Sequence, residues 1–162
     1  MKTFLTHFIL IALSILPTLA LSAPDLKLTV SAEVEVIIEE NGETRTQLIT
    51  AEDVQPGQEV IYTLNYINQG EESAFDITLN NQIDLNSTYQ LGSAWGDADI
   101  QFSVDGGQSF NTASLLVYEF ETADGTKQQR QASPDRYTNI RWIIKEIAGG
   151  ARGQVGFRVT VN

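Results

Sequence analysis

Asp97, Asp99 and Asp105 stand close together in the chain and carry its most readable chemistry. Carboxylate and carbonyl oxygens are the ligands that a hard cation such as calcium takes. Their spacing matches no EF-hand loop, and a solvated acidic loop explains the same three residues, so both readings stay open. Trp95, between Gly92-Ser93-Ala94 and Gly96-Asp97, is the second candidate. An indole at a strand end or in a loop offers an apolar plane for a carbohydrate ring; the competing role is packing at the core or its rim. Nucleophilic catalysis is poorly supplied. The only histidine is His7 and there is no cysteine, so the Ser-His and Cys-His constellations lack their parts. Lys27, Lys127 or Lys145 could still serve a serine, and paired carboxylates a glycosidase, but neither arrangement has a sequence signature. The residues read as those of a binding or structural protein, not an enzyme, with calcium the one cofactor they could take.

A third motif is local. Ser103-Val104-Asp105-Gly106-Gly107-Gln108-Ser109-Phe110 resembles the Asp-box hairpin of sialidases and other secreted β proteins. Asp and Ser side chains satisfy the amides of such a turn, Gly supplies positive φ, and the aromatic residue packs beneath it. The resemblance implies a structural role for Ser103, Asp105, Gly107, Ser109 and Phe110. A sialidase would need several such boxes and an arginine cluster over a much longer chain.

The elements that hold these candidates are strands. Leu26, Leu28, Val30, Ala32, Val34, Val36 and Ile38 alternate with mostly polar neighbours, the longest period-two run in the chain. Asn41-Gly42 is a hairpin turn signal, with Thr44 to Ile49 returning. Pro56-Gly57 opens a strand over Glu59 to Asn68, with Val60, Tyr62, Leu64 and Tyr66 on one face. Phe75, Ile77, Leu79, Asn81 and Ile83 give the next. Shorter strands follow near 88–93, 100–104, 115–121 and 127–131, and 137–145 and 154–161 close the chain. Trp142 reads as core, and 144–148 reads as a turn. Strands at this density, separated by turn signals, predict an all-β, antiparallel β-sandwich of about 8–10 strands, with a closed barrel as the rival.

The first 22 residues have the layout of a secretory signal peptide: Lys2, an apolar run from Phe8 to Leu16, and small residues Ala20 and Ser22 before a cut near Ala23. The run is too short to span a bilayer, so no transmembrane segment is expected after cleavage and 23–162 forms one domain. With Lys2 removed, nine of the 10 basic residues remain against 21 acidic ones, a net charge of −12. Nucleic acid is an unsuitable partner for such a chain, because phosphate binding needs a basic face. An exported chain of this size without disulfides must be held by its core alone.

Three pieces, in order, carry a wider resemblance. Val54-Gln55-Pro56-Gly57 through Asn68-Gln69-Gly70 is similar to the opening Pro-Gly, strand and Asn-x-Gly pattern of a bacterial surface-repeat family, domain of unknown function eleven. Ala74-Phe75-Asp76-Ile77-Thr78-Leu79 resembles its second strand, and Arg141-Trp142 with Gly153-Gln154-Val155-Gly156-Phe157-Arg158-Val159 its closing one. The match spans 54–162, leaving 25–50 as an N-terminal strand or hairpin extension. Asn81 or Gln82 stands where the family has Asp, and Gly149-Gly150-Ala151 replaces a Pro-Gly turn. The resemblance implies an immunoglobulin-like sandwich without catalytic residues, in a periplasmic or secreted protein that contacts another envelope protein or itself through sheet edges or loops. A calcium- or carbohydrate-binding module is the alternative.

Overall fold

The computed structural model describes residues 23–40 and 42–162. The expected leader, His7 within it, and Asn41 of the Asn-Gly turn lie outside the described residues. Ten strands form in chain order: β1 (Leu26–Glu40), β2 (Glu43–Thr50), β3 (Glu59–Asn68), β4 (Ala74–Gln82), β5 (Ser87–Tyr89), β6 (Asp99–Ser103), β7 (Val117–Glu121), β8 (Lys127–Gln131), β9 (Asn139–Ile147) and β10 (Arg152–Val161). They assemble antiparallel into a five-stranded sheet ordered β2-β1-β3-β10-β5, a three-stranded sheet β4-β9-β6, and a separate ribbon β7-β8.

The two larger sheets meet face to face, as in a β-sandwich, over one apolar core. Val60 and Leu64 of β3, with Val155, Phe157 and Val159 of β10, face Leu79 of β4 and Ile140, Trp142 and Ile144 of β9. Phe157 stacks with Tyr62 at 5.1 Å between centroids and lies 5.9 Å from Trp142. Tyr89, Phe102 and Tyr137 complete an aromatic cluster. From β1 the core takes Val34, with Ala32 and Val36 packed against it, and none of Leu26, Leu28 or Val30.

Asn68, at the end of β3, ties the sheets together. Its fully buried side-chain amide donates to the carbonyls of Glu72 (2.7 Å) and Ile147 (3.0 Å), while its Oδ1 accepts from the N–H groups of Asp25 and Gly70 (both 3.1 Å). No capacity is left over, which is the condition for burying an amide cheaply. Gly70 is required because a Cβ there would meet the carbonyl oxygen of Ala23 at 2.7 Å and the nitrogen of Asp25 at 2.8 Å.

Two expectations need correction. The segment 144–148 is not a turn, since β9 continues to Ile147, where its pairing with Ala74 holds it extended. Phe75 does not share the inward face of Ile77 and Leu79 and is 63% exposed. Asp76 adopts a left-handed φ of 52°, a conformation Asp tolerates better than most residues. Across Asp76 the inward face of β4 switches from even to odd positions, so Ala74 is buried and Phe75 turns to solvent.

Candidate functional site

The five-stranded sheet offers two features: its outer face and one open edge. Beside β10, on the side where β5 pairs, the Trp95 main chain forms a bridge with Gly156, donating N–H to carbonyl at 2.9 Å and accepting at 3.2 Å. Trp142 adds an Nε1–H bond to the Trp95 carbonyl at 3.1 Å, fixing this loop from inside the core. The indole lies flush on the sheet, because a Cβ at Gly156 would come within 2.1 Å of its Cζ2. Half-buried Trp95 thus overlooks a shallow groove of about 480 Å³ with Thr63, Asn65, Gln154, Glu35 and Arg158 among its walls.

Charge in that groove is largely internally paired. Arg158 binds Glu59 closely and reaches Glu35 Oε1 at 3.3 Å from both terminal nitrogens. The guanidinium hydrogen bond holds Glu59 below the usual carboxylate range and raises Arg158, and Gln90 adds a further donor to Glu59 at 2.6 Å. The amides of Asn65 and Gln154, by contrast, make no side-chain hydrogen bond among the described residues.

The three aspartates do not converge. Asp97 and Asp99 border a pocket with Tyr66, Lys145 and Glu146. Asp105 lies apart in the Asp-box turn, where both carboxylate oxygens are already engaged. Its Oδ1 accepts from Ser103 Oγ (2.6 Å) and the N–H groups of Gln108 and Ser109 (both 3.0 Å), and its Oδ2 from Ser109 Oγ (2.5 Å). These donors depress its pKa far below the ordinary carboxylate value. Ser103 Oγ also accepts from Gly107 N–H at 2.9 Å, and Gly106 and Gly107 take positive φ of 74° and 86°. Phe110 carries the guanidinium of Arg141 at 3.6 Å from its ring centre. Among the described residues, no group of three His, Cys, Asp or Glu could hold a metal ion. The aspartates therefore divide between a pocket rim and a structural turn.

The open edge belongs to β1. This strand pairs with β3 over Leu26–Glu33 and with β2 over Glu33–Glu40, so its first half has a neighbour on one side only among the described residues. Which groups face the opening follows from parity, because successive residues in an antiparallel strand point their N–H and C=O to opposite edges. The Asp25 carbonyl accepts from Gln69 on the β3 side, and the Ala32 carbonyl accepts from Ala51 on the β2 side. Odd residues thus bond to β3, while Leu26, Leu28 and Val30 point their backbone groups into the open edge. Their side chains share the core-facing side of the sheet with Leu64, yet are 39%, 46% and 53% exposed.

The alternation of Leu26 to Ile38 marks a strand but does not set this half of it apart. The signal for the difference is nonlocal, lying in where β2 ends. The Glu35–Arg158–Glu59 cluster and the Asn68 tie also had no local signature. Compared with protein-family models, curated proteins and solved structures, the chain matches none. Among the described residues no helix is long and apolar enough to cross a membrane.

Proposed function

We propose that this chain is an exported, non-enzymatic interaction module of immunoglobulin-like sandwich architecture, and that it engages a protein strand along the first half of β1. One observation carries the reading: among the described residues, Leu26, Leu28 and Val30 combine unpaired backbone donors and acceptors with half-exposed apolar side chains. Exposed edges recruit strands unless they are blunted, and among the described residues only Lys27 places a charge on this one. The family resemblance supports the same reading. Asn68 and Gly70 stand at the Asn-x-Gly positions of the pattern that the chain resembles.

The test is a photo-crosslinking residue at position 28, compared with one at Gln129 on the exposed ribbon strand β8, in cells that produce the protein. A discrete adduct from position 28 alone is expected. No adduct from that position would contradict the reading.

A second reading is favoured by Trp95. An indole lying flush on a polar sheet face, beside the uncommitted amides of Asn65 and Gln154, suits a neutral carbohydrate chain. Trp142 is fully buried, so ligand-dependent quenching of tryptophan fluorescence would report on Trp95. Soluble neutral hexasaccharides should quench it and fail to do so in Trp95→Phe/Asn65→Ala; an unquenched spectrum across the panel would remove this reading.

A further inference from the structure

Resting on the carbohydrate reading of Trp95, we propose that the glycan is acidic: a neutral sugar stacks on the indole, and a uronic acid further along the same chain is held between Lys27 and Arg152. The outer face of the five-stranded sheet sets this order. Leu64 and Val155 point into the core, so Thr63 and Asn65 of β3 and Gln154 and Gly156 of β10 point outward. The register then lays this face out in rows across β10, β3 and β1. Gly156, Thr63 and Ser31 form the row under the indole. Gln154, Asn65 and Thr29 form the next, and Arg152, Ile67 and Lys27 the last. Successive rows are about 6.8 Å apart, so roughly 13 Å separates the indole from the two cations, room for a short run of linked rings. The surface is continuous over this distance. A second groove of about 530 Å³ runs beside Lys27, Ile67 and Arg152 and shares Asn65 and Gln154 with the Trp95 groove.

Charge identifies the occupant. With 21 acidic residues against 10 basic ones, the chain engages most of its cations internally. Arg45, Lys127 and Arg158 pair with carboxylates. Arg130, Arg136 and Arg141 lie over aromatic rings, and Lys145 borders a pocket with Asp97, Asp99 and Glu146. Lys27 and Arg152, among the described residues, have no ion pair and no ring, and their groove has no acidic residue in its lining. Yet the register sets them on either side of Ile67, with Cα atoms about 10 Å apart. Two like charges flanking one apolar residue repel each other, and an anion between them removes that repulsion. The guanidinium can grip a carboxylate through two parallel bonds. Beyond the indole the sign reverses, because Glu33, Glu35 and Glu59 share the face with a single cation, Arg158. The acidic sugar is therefore directed to the Lys27 end.

The same face selects a sugar over an acidic peptide. Strand β3 is bonded to β1 on one side and β10 on the other, so it has no free main-chain edge to offer a peptide. Recognition falls to side-chain amides and hydroxyls, which suit a polyhydroxylated chain.

The test uses protein expressed from the full coding sequence, with quenching of Trp95 fluorescence as the readout. The probes are unsulfated hyaluronan and chondroitin hexasaccharides, in which glucuronate alternates with a neutral amino sugar. Each is compared with its own carboxyl-reduced form. At low ionic strength at least one acidic form should bind roughly fivefold tighter than its reduced form, a gain that two exposed charge pairs can supply. The difference should vanish near 1 M salt, where the screening length is about 3 Å. Lys27→Gln/Arg152→Gln should abolish it and leave the affinity for the reduced form unchanged, whereas Lys127→Gln on the ribbon should preserve it. Equal affinity for the two forms, or binding of neutral hexasaccharides alone, overturns the acidic-sugar inference and leaves the neutral-sugar reading standing. Quenching by none of these glycans removes that reading as well. Hexaglutamate displacing the acidic glycan at equal or lower concentration overturns the choice of a sugar over an acidic peptide.

Discussion

Strands β1 and β3 are neighbours with the same alternating pattern, yet they meet opposite fates. In their register Val30 lies opposite Leu64, with both side chains on the core-facing side. Leu64 is 0% exposed, whereas Val30 is more than half exposed. The difference is one of cover: Leu64 lies in the core with residues of β4 and β9, whereas the core takes Val34 from β1, with Ala32 and Val36 packed against it, and none of Leu26, Leu28 or Val30. Alternation tells which way a side chain points, and the opposing sheet decides whether anything meets it. A closed seam and an open margin therefore sit one strand apart.

Substitutions that act on only one of these regions test the contrast. The largest expected effect lies in the seam. Trp142→Ala removes a fully buried ring that packs on Phe157 and anchors the Trp95 loop, and should cost about 3–5 kcal/mol in denaturant unfolding. Next comes Asn68→Ala, which leaves the carbonyls of Glu72 and Ile147 and two N–H groups without their partner. A loss of about 2–3 kcal/mol is expected, measured the same way.

Asp105→Asn should cost less, about 1–2 kcal/mol at neutral pH, because the turn is partly solvated and its charge-assisted bonds are weakened. Its pH dependence has a definite sign. The folded state holds the Asp105 pKa below its unfolded value. The contribution is thus full above the ordinary carboxylate value and is lost as pH falls below it, when the unfolded chain takes up a proton first. The stability gap between the unsubstituted chain and Asp105→Asn should shrink progressively as unfolding is repeated from pH 5 downward. The smallest effect belongs to the margin: Leu28→Asp should change monomer stability by no more than about 0.5 kcal/mol, as at other exposed positions. A loss comparable to that of Trp142→Ala would place Leu28 in the core and erase the contrast.

Much of this architecture was legible in residues alone, for reasons of range. Glu59 to Asn68 declares a strand because Pro-Gly before it, Gly after it and the period between are all local. The Asp-box turn is legible for the same reason: Ser103, Asp105 and Ser109 bond within a few residues of one another. Asn68 was not legible as a tie, because its partner at Ile147 is 79 residues away. The inward-face switch at Asp76 depends on a backbone conformation that alternation does not encode. The aspartates looked like one site because they are close in sequence, but Asp105 is turned into its own hairpin while Asp97 and Asp99 line a different pocket. Trp95 was legible as an unusual residue, and its place over Gly156 only through pairing with β10.

The most direct measurement is amide hydrogen exchange along β1 across a dilution series. In the dilute monomer, Leu26, Leu28 and Val30 should exchange quickly, while Lys27, Thr29 and Ser31, bonded to β3, exchange slowly. Protection of Leu26, Leu28 and Val30 already complete at the lowest concentration, matching that of Lys27, Thr29 and Ser31, would contradict the open edge.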